Sequence, residues 1–417
     1  MGCQNLFPAS FVTALDLDAQ TLAKCVNCGL CLPHCPTFRV TGEESYSPRG
    51  RIDAMRAVES GTLQADDQFI DFIETCVQCR GCESACPSGV QFGSLMEGTR
   101  AALASEGAIA PWWQRVGFSV LGHHRILLAG STVLAVAQRL RMVPRRLGLG
   151  RLPLRRPDPI VATAGALDAD VWLFTGCVMD AWQRSTHRNT AELIGMVGAT
   201  YALPDDGGAC CGALHVHAGL RDRATKLARG VMASMPGTAP ILVNSAGCGA
   251  AMKDYGDLLG SDEARHFAAR VVDVSEWLAE RIDELPVWLG ERSTVIVQDP
   301  CHLRHVQHSH QPVRTLLSQV ADVIELDDDG LCCGAGGAYS AMQPELAGEI
   351  RERKLSAIDR AREKSGSVLV ASANPGCSMH LAGPLDERGV TVMHPVDIVA
   401  DALRTQGSAD PTQQPNA

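Results

Sequence analysis

The chain has 417 residues, a formal charge of −10 and 46% hydrophobic residues. That length suggests about three domains with buried cores of their own, and the acidic balance argues against a nucleic-acid partner. Seventeen cysteines, with no basic region followed by an apolar core over Met1 to Ser10, predict a reducing, cytoplasmic setting in which clustered thiols hold metal. Cys3 reads as a free thiol.

A short helix is expected over residues 12 to 24, leading into Cys25-Val-Asn-Cys28-Gly-Leu-Cys31-Leu-Pro-His-Cys35-Pro36. Three cysteines at two-residue intervals, then a fourth after three residues with proline behind it, form the bacterial ferredoxin run for a cubane iron–sulfur cluster. The run recurs at Cys76-Val-Gln-Cys79-Arg-Gly-Cys82-Glu-Ser-Ala-Cys86-Pro87. In two-cluster ferredoxins the fourth cysteine of each run ligates the other cluster, which pairs Cys25, Cys28 and Cys31 with Cys86, and Cys76, Cys79 and Cys82 with Cys35. Gly29 and Gly81 let the backbone approach the cluster sulfides. Structural zinc, usually built from two separated C-x-x-C pairs, and a disulfide framework fit the pattern less well. Between the runs, Pro48 to Val58 reads as a helix after Ser47, and a second helix, 66 to 74, delivers Cys76. Arg49 and Arg51 face either a cluster edge, a partner or solvent.

From Pro111 to Arg156 the sequence holds nine arginines and no Asp, Glu or Lys, leaving −19 on the remainder. It also holds Trp112-Trp113 and an apolar run, Ile126 to Ala137, too short to span a bilayer. Two readings stay open: a segment on the surface of an anionic membrane, or helices docking on a partner subunit.

Beyond Asp170 the pattern is α/β. Strands are expected at 171–175, 200–203 and 241–243, and helices at 184–197 and 221–235, with Cys177, Cys210-Cys211 and Cys248 in the loops. The pattern repeats, with strands at 294–298 and 368–371 and with Cys301, Cys332-Cys333 and Cys377. Equivalent cysteines are offset by 124, 122 and 129 residues, an internal duplication. Cysteines just beyond strand ends lie where open α/β sheets bind ligands, so each repeat offers four converging thiols, a candidate further cluster site. His302 and His380 are candidate ligands or proton donors, and His215 and His217 lie on an alternating stretch. No G-x-G-x-x-G between strand and helix and no P-loop is found, so neither flavin nor nicotinamide is expected on this chain.

The fold class expected is α+β multidomain: an α-helical two-cluster ferredoxin domain (1–105), a basic linker (106–165), two tandem α/β Cys-Cys-Gly domains related by duplication (166–288 and 289–404), and a disordered tail (405–417). The run of motifs from Cys25 to Leu403, including Ser47-Pro-Arg-Gly-Arg51-Ile52, Cys86-Pro-Ser-Gly-Val90, Cys210-Cys-Gly-Ala-Leu-His215, Ser245-Ala-Gly-Cys248-Gly and Asp299-Pro-Cys-His302, resembles the glycolate oxidase iron–sulfur subunit family, related to heterodisulfide reductases and to D-lactate and glycerol-3-phosphate dehydrogenase subunits. The resemblance implies an electron-transfer subunit, not catalytic alone, working beside an FAD-binding dehydrogenase subunit and passing electrons to a membrane quinone, peripheral on the inner face of the membrane. Heterodisulfide reductases end each repeat with C-x-x-C; here Ala251 and His380 replace the second cysteine, which weakens disulfide reduction as the alternative. A non-enzymatic redox sensor is the other alternative.

Overall fold

The computed structural model describes residues 14–143, 152, 154–205, 210–328 and 330–409. Cys3, three arginines of the basic stretch (145, 146 and 151) and residues 410–417 lie outside them. The chain divides into two units: one runs to Ser119 and takes in Leu214–Ala224, and the other comprises Val120–Ala213 and Thr225 onward.

The first unit is helical. Asp18 caps the short helix Ala19–Ala23 by accepting the Gln20 and Thr21 N–H groups. Ser47 does the same for helix Pro48–Glu59, accepting from Gly50 N–H at 3.0 Å, and Pro48 occupies the first turn where its missing N–H costs nothing. Gly50 is required: a Cβ there would stand 2.0 Å from the Glu44 carbonyl oxygen, which accounts for Ser-Pro-Arg-Gly as a unit. Helices Asp67–Glu74 and Phe92–Ser105 complete a core of Ile52, Met55, Val58, Phe69, Ile73, Leu95, Met96 and Leu103, with Cys76 and Cys82 packed at its edge.

The segment Leu214–Ala224 belongs to this unit. The His217 carbonyl accepts hydrogen bonds from Gln78 Nε2 at 3.0 Å and Arg100 Nη1 at 2.6 Å. Gly219, at φ +74°, lies so close that a Cβ would sit 2.2 Å from the Arg100 carbonyl oxygen. His215 and His217 fall on the short helix Ala213–His217, not on an alternating strand-like stretch.

The second unit contains two four-stranded parallel sheets. In the first, β1 (Val171–Phe174), β2 (Tyr201–Ala202), β3 (Ile241–Val243) and β4 (Val271–Asp273) lie in the order β2-β1-β3-β4. In the second, β5 (Ser293–Val297), β6 (Ala321–Glu325), β7 (Leu369–Ala371) and β8 (Thr391–Met393) lie in the matching order β6-β5-β7-β8. The central strands are apolar where both faces are covered, β1, β3 and β7 throughout and β5 over Val295–Val297. Val171, Leu173 and Leu242 of the first sheet and Val295 and Val297 of the second share one core. Trp172, Phe174 and Ile241 turn to a second core, and Ile296 and Val370 to a third. The duplicated halves therefore pack through their inner faces.

In the basic stretch, helices Trp112–Leu121 and His124–Arg139 form, and no single described helix is long and apolar enough to cross a membrane. Three arginines there are internal braces: Arg115 donates to the carbonyls of Ala104 and Ala110, Arg139 to Ala135 and Leu152, and Arg156 to Leu128. At the other end, helix Pro395–Ala409 continues past Thr405, where the sequence pattern places the start of the tail. The physical reason is an anchor: Arg404 bonds Asn189 and Glu192, and Leu403 is buried.

Candidate metal centres

In the first unit, Cys25, Cys28, Cys31 and Cys86 line one cavity, with Arg49 and Phe92 in its wall. Cys35, Cys76, Cys79 and Cys82 line another, and Cys82 also reaches the wall of the first. The geometry thus gathers the eight thiols in the crossed grouping expected from the two runs. The loops need special backbone to do it. Asn27, Gln78 and Arg80 adopt positive φ (56°, 57° and 58°), as does Gly29 at 83°, where a Cβ would meet the Arg49 guanidinium at 2.8 Å.

Whether these residues suit a cluster can be judged from their chemistry. Burial pushes the Cys82 thiol well up, and the charges of Cys79, Cys35 and Cys76 push it further. Burial likewise raises Cys35, against the pull of the Arg51 guanidinium. Four thiolates persist together in such a pocket only around a cationic group. Among the described residues no three His, Cys, Asp or Glu side chains gather closely enough to hold a single metal ion, for which zinc would need Zn–S bonds of about 2.3 Å. The donor set fits a multi-iron cluster held by four thiolates better than one zinc ion.

Arg51, for which the sequence leaves a solvated position open, is instead buried, donating to the carbonyl of Phe72 at 2.6 Å and to the hydroxyls of Thr37 and Thr75. It lies on the buried face of helix Pro48–Glu59, with Pro48, Ile52, Met55 and Val58, and its charge acts on Cys35. Arg49 stays half-exposed, paired with Glu44 and donating to the Asn27 carbonyl at 3.0 Å.

In the first cysteine-rich repeat, the Cys177 and Cys210 side chains are hydrogen-bonded to each other, as are those of Cys211 and Cys248. The hydrogen bond from its neighbour, with burial, raises Cys177 well above the usual thiol range. In the second, Cys333 Sγ lies 3.1 Å from Cys377 Sγ and bonds Cys332, and Cys301 lies near enough to raise Cys377 electrostatically. Each repeat therefore brings its four cysteines together at the ends of the central strands, as its loop positions predicted. None of the sixteen described cysteines forms a disulfide. His380 is buried beside this group, with its pKa lowered by burial and raised in turn by Cys333; its Nε2 lies 3.4 Å from the Ala347 carbonyl oxygen. His302 is half-buried at the start of helix Cys301–His305.

Two functional features escaped sequence reading. Asn374 lies three residues before Cys377, as Ser245 does before Cys248. Its Oδ1 accepts from Gly247 N–H at 3.1 Å and Ser245 Oγ at 3.4 Å, and its Nδ2 donates to Cys377 Sγ at 3.5 Å. One amide thus ties the two cysteine loops together. Tyr255, fully buried, donates its hydroxyl to the Cys211 carbonyl at 2.8 Å. The equal spacings from the last cysteines were the available signal for the first; nothing local marked the second.

Comparison with known proteins agrees with this layout. Residues 21–90 match the family model of a 4Fe-4S dicluster domain, and residues 171–253 and 295–382 each match a cysteine-rich domain. The chain is 29% identical over 426 residues to the probable glycolate oxidase iron-sulfur subunit of Bacillus subtilis, covering 93% of this chain and 95% of that one. It is 28% identical over 414 residues to the glycolate oxidase iron-sulfur subunit of Escherichia coli, covering 94% and 97%. Over 425 residues it is 28% identical to a subunit of the dihydromethanophenazine:CoB–CoM heterodisulfide reductase of Methanosarcina barkeri, covering 94% and 95%. With a match to a 4Fe-4S dicluster domain ahead of two matches to a cysteine-rich domain, this chain is similar over nearly its whole length to iron–sulfur subunits named for glycolate oxidase and to that heterodisulfide reductase chain.

Proposed function

We propose that this chain is the electron-transfer subunit of a flavin-dependent 2-hydroxy-acid dehydrogenase, of glycolate or D-lactate type, that works beside an FAD-binding subunit and passes electrons to a membrane quinone. The observation that carries the reading is the pair of four-thiol cavities in one small unit, in a chain whose relatives are named as glycolate oxidase iron-sulfur subunits. Cys25, Cys28, Cys31 and Cys86 would hold one four-iron cluster, and Cys35, Cys76, Cys79 and Cys82 the other. Such clusters supply one-electron carriers between a two-electron donor and a two-electron acceptor. The chain's own part is to hold the thiolates and set local charge: Arg51 lies near Cys35 and Arg49 lines the other cavity.

Heterodisulfide reduction is a second reading, favoured by the relatives of that name. Against it stand Ala251 and His380 at the positions where each repeat would need a further cysteine. The test is iron and acid-labile sulfide per chain, with electron paramagnetic resonance, on anaerobically purified protein and on a variant with Cys210, Cys211, Cys332 and Cys333 all changed to Ser. About eight iron in both would confine clusters to the first unit, and about twelve or more falling to eight would place one in the repeats. Fewer than eight in the unaltered chain would sink the two-cluster assignment, and substrate turnover by the lone chain would sink the subunit role.

A further inference from the structure

The two cluster loops of the first unit share a backbone and differ in what covers them. Val26-Asn27 and Val77-Gln78 occupy the same positions in Cys-Val-x-Cys, and Asn27 and Gln78 have the same left-handed φ. Yet Val26 is 69% exposed where Val77 is 4% exposed, and Asn27 is exposed where Gln78 is 7% exposed. The segment Leu214–Ala224 is tied to the second loop. Gln78 and Arg100 both bond the His217 carbonyl, and Arg100 also bonds the carbonyls of Ile73, Glu74 and Cys76. The second loop is thus roofed by the chain's own backbone, six residues downstream of Cys211.

No such segment covers the first loop among the described residues. Val26 and Leu30, the latter 56% exposed, stand on either side of the exposed Cys28. Around them lie Glu44 and Asp53, both half-exposed, with Arg49 and Arg56 as their partners. Two apolar anchors inside a ring of mixed charge have the anatomy of a protein–protein contact. The loop's twin already accepts a polypeptide on the equivalent face.

We propose that the Val26–Leu30 face is where the flavin-bearing chain docks, making the Cys25/Cys28/Cys31/Cys86 site the entry point for electrons and the Cys35/Cys76/Cys79/Cys82 site the internal one. This rests on the relay reading above. A partner seated there brings its flavin to the thiols least shielded by this chain, and the segment bonded to the second loop lies within the stretch matched as the first cysteine-rich domain.

The test places a photo-cross-linking amino acid at Val26 and, as a control, at Leu289, which is 82% exposed in the second unit, in the complex as purified. Flavin absorbance of that complex is recorded first. Cross-linking to the flavin-bearing chain from position 26 and not from 289 is the expected result. Cross-linking from 289 alone, or from 26 to a second copy of this chain or to lipid, overturns the assignment. A complex without flavin overturns the relay reading itself and this assignment with it. Separately, the double variant Val26→Glu, Leu30→Glu should keep its iron content and paramagnetic signals while its affinity for the flavin-bearing chain falls at least tenfold; unchanged affinity overturns the proposal.

Discussion

The two cysteine-rich repeats have the same strand order and gather four thiols each, but they surround those thiols differently. In the first, the Tyr255 hydroxyl holds the Cys211 carbonyl, and Leu127 packs against Cys177 and Cys210. In the second, Pro384 stands at the spacing that Tyr255 has from Cys248, and His380 at the spacing of Ala251. The residue that opens the helix after the last strand differs too: Asp273 before Val274–Ala279, His394 before Pro395–Ala409. Duplication kept the geometry of the strand ends, which packing dictates, and let the titrating and hydrogen-bonding groups diverge.

That comparison breaks most severely in the shared core. Because Leu173 of the first sheet and Val295 of the second lie in one cluster, Leu173→Ala should cost ~2–5 kcal/mol and lower the melting of both repeats together. Calorimetry that resolved an unshifted transition for the second repeat would show the halves to be independent.

Next in size are two pH limbs of opposite sign. Burial pushes Asp273 up to about 7, against the hydrogen bonds from Ser275, with Glu276 and Lys253 nearby. A folded pKa raised above the unfolded value gives stability that is present below about pH 4 and lost as pH rises through 7, ~4 kcal/mol at most. Asp273→Asn should therefore stabilise the protein at pH 8 and leave pH 4 nearly unchanged in denaturant titrations. His187 is lowered to about 4, chiefly by burial, and His394 is lowered for the same reason despite the opposing charge of Asp397. Their stability is present above about pH 6.5 and is lost as pH falls toward 4, ~3 kcal/mol for His187. Both imidazoles bond Asn244, one at its side chain at 2.9 Å and the other at its carbonyl at 2.9 Å. The acid limb thus belongs to the junction of the repeats, and the alkaline limb to the first repeat alone. A His187→Gln variant that retained the full acid limb would contradict this.

The smallest effect separates the repeats most cleanly. Tyr255→Phe removes one buried hydrogen bond, worth about 1 kcal/mol, and should speed amide exchange around Cys211 without changing it around Cys333.

Much of this was legible in the sequence where chemistry demanded particular residues at particular spacings. The eight ferredoxin cysteines and their crossing, the duplication, and strands such as 241–243 follow from thiolate geometry and buried β runs. The strands 271–273, 321–325 and 391–393 were not anticipated. They are edge strands of three to five residues, and Ala321 to Glu325 carries acidic residues near both ends of a half-covered run. Arg51 was illegible because its charge argued for solvent, whereas four hydrogen-bond acceptors waited for it inside the fold. Gln78 and Arg100 could not be read because their partner, the His217 carbonyl, lies more than a hundred residues downstream.

Ser245 and Asn374 meet at the seam of the two repeats as equivalent positions holding different residues. In a symmetric pair of separate chains, each residue at such a place would face its own copy and both would have to be satisfied by the same choice. Here the amide gives to one side and accepts from the other, a division of labour open to copies that are free to differ in sequence, as these two halves of one polypeptide are. Fusion freed the seam from self-complementarity, so each half could acquire its own surroundings without needing a matching change in its twin.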